Sequence, residues 1–394
     1  MNTQYETHRT QRAVPPHCSG IATQLTGLLL GVARHSAVPC FCALSLLGAF
    51  ATNGVPADLA GTATGDEQEA NFLANARAFL RVQQLGDGSF GTIQPRLQTA
   101  LATLALLSIQ APPCEEDRVR IERAASYLEK MGSLSGDLGD DVFRTESHAL
   151  ATTALLCSLE HVREPDLRAR VAQKVYRAIR LTQQMQDRSS SSPGRGGWKM
   201  EGSKGTLNDR RASAWALLAY LAARSYGIPI ERANVERGVQ FMMGAFKEQT
   251  PEADQIGGFS VDAEGLAAVS ISSMGGWVLA RFGGSEKHRR LNLAWLARHP
   301  VEWTGPNYFY ANFFRVRALR WSAPGEEFPR TMRRILSHIR DHQQSNGSVG
   351  FPPGEAQNMV MMGPVFSTAL SILIVNVKHS RLPFDEDYRL EPRF

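Results

Sequence analysis

Glu146 and His148 stand two residues apart at the head of the apolar segment Ser147 to Leu159. A carboxyl and an imidazole at the start of an enclosed helix can do acid–base chemistry, and the imidazole titrates near neutrality. A hydrogen-bonded structural role is the other use of such a histidine. Asp209 stands in the same way before Arg211 to Ala223, as a polar anchor at the mouth of a cavity or as the N-cap of a helix. Glu264 precedes a third apolar segment. Glycoside cleavage uses two facing carboxylates; Glu146, Asp209 and Glu264 each begin or precede an apolar segment, but the sequence singles out no pair of them as lining one cavity. A further cluster, Asp137-Leu138-Gly139-Asp140-Asp141, holds carboxylates close enough to perturb one another, or simply to occupy a turn or helix start.

Other chemistries are excluded by residue type and spacing. Five cysteines are present, but Cys18, Cys40 and Cys42 fall in the first fifty residues, leaving Cys114 and Cys157. Cys157 lies nine residues after His148, two and a half helical turns away and on the opposite face, so no thiolate zinc site is expected. The same two cysteines imply no disulfide framework. Neither a metal nor a cofactor is expected. The formal charge of +5 is spread among acids with no basic block, which removes nucleic acid as a partner.

Positioning these groups requires helices, and the sequence repeats one arrangement six times from residue 70 onward. Each unit has a mixed-charge amphipathic segment, a Gly-rich turn, and a second segment that is apolar or small nearly all round. The first segments are Phe72 to Val82, Val119 to Met131, Leu167 to Gln184, Val235 to Phe246, Arg289 to Ala297 and Thr331 to Gln344. The second are Leu97 to Ile109, Ser147 to Leu159, Arg211 to Ala223, Leu266 to Phe282, Tyr308 to Trp321 and Phe366 to Val377. A helix with one apolar stripe lies at a water boundary, whereas one apolar all round must be enclosed. An inner ring of second helices within an outer ring of first helices satisfies both, giving an all-α (α/α)6 toroid of six helical hairpins with little β-structure. An open solenoid of the same repeats would need polar end caps, and no terminal unit resembles one.

The organisation expected is a leader over 1–51, a flexible linker over 52–69, the toroid over 70–380 and a tail over 381–394. The leader has Arg9, Arg12 and Arg34, the apolar run Ala37 to Gly48, and Ala49-Phe50-Ala51. That order reads as a signal peptide cleaved near Ala51, hence export to the periplasm or cell envelope.

The turns carry a resemblance. Phe79-Leu80-x-x-Gln83-Gln84-x-x-x-Gly88-x-Phe90, Gln183-Gln184 followed by Gly197-Trp198, and Gln343-Gln344-x-x-Gly347 resemble the Gln-and-Trp repeats of squalene–hopene cyclases, whose toroid protein prenyltransferase β-subunits share. The chain is most similar to exported, planctomycete-type proteins with prenyltransferase and squalene-oxidase repeats, over about residues 70 to 390. In such repeats the glutamine is expected to bond orphan backbone groups of a neighbouring helix end.

The resemblance implies a central cavity for an apolar isoprenoid-type ligand, walled by Trp215, Tyr308, Tyr310, Phe313 and Phe366, with Asp209, His148 and Glu146 as candidate catalytic groups. It departs from the cyclases at their Asp-x-Asp-Asp acid: Asp137 to Asp141 is one residue too long, so cyclisation is not implied. Met359 to Gly363 would form an adaptable lip or fill a gap. Two alternatives stand beside this reading. One is a non-catalytic secreted scaffold with a protein partner; the other is a carbohydrate-active toroid enzyme.

Overall fold

The computed structural model describes residues 65–189, 194–201, 208–249, 256–261, 265–322, 325–379 and 381–385. The leader, residues 52–64 of the linker, Glu264 and residues 386–394 lie outside the described residues, as do the side chains of 356–361. Among the described residues there are twelve α-helices in six hairpins. The outer helices are α1 (Gly65–Gln83), α3 (Glu115–Met131), α5 (Pro165–Met185), α7 (Arg232–Met243), α9 (Glu286–Arg298) and α11 (Glu327–Asp341). The inner ones are α2 (Pro95–Ile109), α4 (Arg144–Ser158), α6 (Arg210–Ser225), α8 (Val269–Phe282), α10 (Tyr308–Ser322) and α12 (Ala356–Val375).

Burial follows the two sequence patterns. In α11 only Thr331, Ile335 and Ile339 are buried, one residue per turn on a single stripe. In α2 every residue from Leu97 to Ser108 is buried, and in α4 every residue from Thr145 to Ser158. The inner helices pack in the order α2, α4, α6, α8, α10, α12 and back to α2, so the ring closes. Each fully buried leucine along it contributes about 1.5–3 kcal/mol of transfer energy. Among the described residues, strands are confined to two short antiparallel pairs beside Gly-rich turns: β1 (Trp198–Lys199) with β2 (Asn208–Asp209), and β3 (Phe246–Gln249) with β4 (Ile256–Phe259).

The glutamines stitch neighbouring units. Gln84 Nε2 donates to Gly88 O of its own turn at 3.1 Å and to Arg120 O in α3 at 2.9 Å. Gln343 repeats this with Gly347 O and with Phe72 O of α1, both at 3.1 Å, so the device that joins unit one to unit two also joins unit six to unit one. In unit three the sequence spacing picks Gln183 and Gln184, and the structure corrects it. Gln186 makes the double contact there, to Gly196 O and Asn234 O at 2.8 Å each, while Gln183 accepts from Asn234 Nδ2. A longer α5 carries the stitching residue further along the chain.

Two turn glycines show why the motif needs them. Gly88 and Gly347 have φ of 96° and 88°, and a Cβ at either would strike the backbone carbonyl of Arg123 or Asn75 on the next outer helix. Loss of the closing stitch in Gln343→Ala is expected to cost about 1–3 kcal/mol, since it leaves two carbonyls without their partner. Urea unfolding checks this; an unchanged midpoint means the ring is not held there.

A second repeat device was not read from the sequence. Thr99, Ser147, Ser213 and Ser272, each near the start of an inner helix, and Thr368, just past the break in α12 at Gly363, accept a backbone N–H from Phe90, Asp140, Trp198, Phe259 and Val349 at 2.7–3.0 Å. They fix each turn over its inner helix.

Residues 381–385 pack on the far end of the ring. Arg381 donates to the Ser108 and Ile109 carbonyls at the C-terminus of α2. Phe384 is buried, and Asp385 forms a bidentate pair with Arg317 of α10.

Candidate functional site

Every outer helix runs toward its turn and every inner helix runs back, so six inner N-termini converge on one end of the ring. Their partial positive charges attract carboxylates. Three acids at this end answer that demand directly. Asp140 accepts from Leu97 N at 2.8 Å and Arg96 N at 3.4 Å, capping α2 from a distant loop. Asp209 Oδ1 accepts from Arg211 N at 2.7 Å and Ala212 N at 3.0 Å, capping α6. Glu355 accepts from Tyr308 N at the start of α10.

Glu146 differs from these three. Its carboxyl accepts from the Tyr310 hydroxyl, which comes from α10, the helix diametrically opposite α4 in the ring order. The axis is therefore bridged at this level. Burial pushes the Glu146 pKa up to about 7 against the opposing pull of the Tyr310 hydrogen bond and the Arg211 charge; the Asp209 charge pushes it the same way as burial. Tyr310 is itself held far above its ordinary value, chiefly by burial and then by the Glu146 charge. The phenol thus remains a donor throughout the physiological range.

The aromatic residues expected in the wall separate into two groups. Trp215 of α6 meets Tyr310, Phe313 and Phe314 of α10 at ring-centroid distances of 5.8, 5.0 and 4.8 Å, and Phe366 of α12 meets Tyr310 at 5.3 Å. These fill the axis beneath Glu146. Tyr308 points elsewhere, packing on Trp303 at 4.8 Å with its hydroxyl 3.4 Å from His338 Nδ1 of α11.

His148 is not brought to Glu146 either. Its Nδ1 accepts from Leu138 N at 3.1 Å, so Nε2 carries the proton toward Thr182 Oγ1 at 3.0 Å and Ala178 O at 3.2 Å on α5. Burial lowers its pKa, more strongly than the nearby Asp137 charge raises it. A depressed imidazole pKa adds stability that is present above 6.5 and lost as pH falls below it. His148→Asn keeps an acceptor for Leu138 N and is expected to lose part of that acid sensitivity, as seen by urea unfolding at pH 7 and pH 5.5.

Asp137 is engaged by Gly139 N and by Arg144, and Asp141 is exposed. Among the described residues, Cys114 and Cys157 are not joined by a disulfide. Among the described residues, no cluster of three His, Cys, Asp or Glu side chains could hold a metal ion. The far end of the ring has a cavity of about 270 Å³ lined by Gln110, Cys157, Glu160, His161 and Arg381 among others, remote in the fold from Glu146. No helix among the described residues is long and apolar enough to cross a membrane.

No family model matches the chain, and no curated protein is significantly similar to it. Solved structures do match. The type II terpene cyclase MstE from Scytonema (apo) is 13% identical, covering 80% of this chain and 99% of its own at a TM-score of 0.50. The GH76A α-1,6-mannanase from Salegentibacter sp. HEL1_6 is 10% identical, covering 79% of this chain and 99% of its own at 0.53. An inactive variant of that mannanase in complex with α-1,6-mannotriose is 10% identical, with coverage of 81% and 100% at 0.52. At such identities the likeness is one of fold: the chain is an all-helical α/α toroid, the architecture of both enzymes.

Proposed function

We propose that the chain is a carbohydrate-active toroid enzyme in which Glu146 protonates the leaving oxygen of a glycosidic bond at the mouth of the ring. The observation that carries this is the buried Glu146 carboxyl, held by the Tyr310 phenol from across the ring while its three acidic neighbours cap helices. A carboxyl kept protonated to about pH 7 by desolvation is a weak acid. Such an acid suits proton transfer to an oxygen at neutral pH, and it suits poorly the protonation of an isolated alkene. Asp209, close enough to act on Glu146 electrostatically, is the second carboxylate. Its Oδ2 faces Arg211 while Oδ1 holds the helix.

The likeness to an α-1,6-mannanase agrees with this reading, and the likeness to a terpene cyclase supports a second one. Trp215, Phe313 and Phe366 are buried along the axis, and the apolar, aromatic character they give it is what an isoprenoid-type reading rests on. Kinship with the prenyltransferase and squalene-oxidase repeat proteins would belong to that second reading, with the Gln84 and Gln343 stitches as its support. A pure scaffold has no use for a buried acid that costs stability at neutral pH. Export with cleavage near Ala51 fits an enzyme acting on envelope or extracellular glycans; N-terminal sequencing of the protein from culture checks it.

The test incubates the purified protein with α- and β-linked oligosaccharides and measures new reducing ends. Hydrolysis is expected with an alkaline limb near pH 7, where Glu146 loses its proton, and with losses of at least about 100-fold in Glu146→Gln and Asp209→Asn. No hydrolysis, together with an isoprenoid retained from cell lipid extract in native mass spectrometry, overturns it in favour of the second reading.

A further inference from the structure

Arg211 lies in the first turn of α6, four residues before Trp215, so their side chains share the face of α6 that meets α10 across the ring. Its charge acts on both Glu146 and Tyr310. A cation in the first turn opposes the helix dipole, so Arg211 does not serve α6. The carboxylate beside it is already occupied: Asp209 Oδ1 takes two backbone N–H groups, and the guanidinium meets Oδ2 only at 3.4 Å. One long contact uses little of a five-donor fork, and 33% of the side chain stays exposed.

We propose that Arg211 selects a substrate bearing a carboxylate, a uronic-acid-containing oligosaccharide, by pairing with that carboxylate beside the bond on which Glu146 acts. The planar guanidinium matches a carboxylate two-to-two, and charge-assisted hydrogen bonds of this kind are the strong ones. Trp215, one turn further along α6, is fully buried against Tyr310, Phe313 and Phe314 and anchors that end of the helix. The inference rests on the carbohydrate reading above and names its substrate class.

Calorimetric titration of the full chain with trigalacturonate and with mannotriose, at low and at moderate salt, tests it. Trigalacturonate is expected to bind at least tenfold tighter than mannotriose, both to the wild type and to Glu146→Gln, with an advantage that shrinks as salt rises. That advantage disappears in Arg211→Ala and returns in part in Arg211→Lys, which keeps the charge and loses the fork. Equal affinities, or an advantage that survives Arg211→Ala in a protein of unchanged circular dichroism, overturn the role of Arg211 and leave glycoside chemistry at Glu146 standing. Binding of neither sugar overturns both.

Discussion

Glu146→Gln is expected to be more stable than the wild type at pH 8 and equal to it at pH 4. The folded carboxyl holds its proton to about pH 7, whereas the unfolded one releases it near 4.5. Between those values the native state binds more protons than the unfolded state, so wild-type stability falls as pH rises through the window and levels off above it. At 1.36 kcal/mol per tenfold change in proton affinity, the difference amounts to about 3 kcal/mol. Glutamine keeps an acceptor for the Tyr310 hydroxyl and never ionises, so it escapes that loss. In a domain of this size the gain at pH 8 corresponds to roughly 4–5 °C in Tm. Melting curves from pH 4 to 9 check it: the wild-type and variant curves should diverge across the window and then run parallel. Parallel curves throughout would mean that the carboxyl is solvated and has no claim to be the acid. Stability bought at the expense of turnover is the signature of a functional group placed where the fold does not want it.

Asp385→Ala is expected to cost about 3–5 kcal/mol, the usual result of removing one partner of a buried ion pair. Arg317 is fully buried and Asp385 nearly so, joined by hydrogen bonds of 2.8 and 2.9 Å. The guanidinium lies 3.8 Å from the Phe313 ring centroid, so the stranded charge would sit directly beneath the aromatic floor of the mouth. The double variant Arg317→Met with Asp385→Leu removes both charges and should recover most of the loss. Urea midpoints of the three variants decide it, and a loss below about 1 kcal/mol in Asp385→Ala would show that water reaches the pair. The five residues after position 380, expected as tail, would then contribute little to the ring.

The alternation of striped and fully apolar helices was legible because it is local. Amphipathic period and Gly-rich turn recur within each unit, and enclosure of the second helices follows from their composition alone. The glutamine stitches of units one and six were legible for the same reason, since their partners sit at fixed offsets. Gln186 escaped because a lengthened α5 shifts the spacing while the geometry it must reach stays put. Glu146 and Asp209 could be nominated from position, but not told apart. Nothing near Glu355 marked it as the acid that caps α10, and nothing near Glu146 named a tyrosine 164 residues away as its partner.

The sequence by itself determined how many hairpins there are, which helix of each is sheltered, and that the pairs close into a ring, because burial follows from the side chains of one segment at a time. Only the tertiary structure decided which carboxylates cap helices and which one is left buried against a phenol. Proton affinity depends on what surrounds a group in space, and ring closure is what brings opposite helices together.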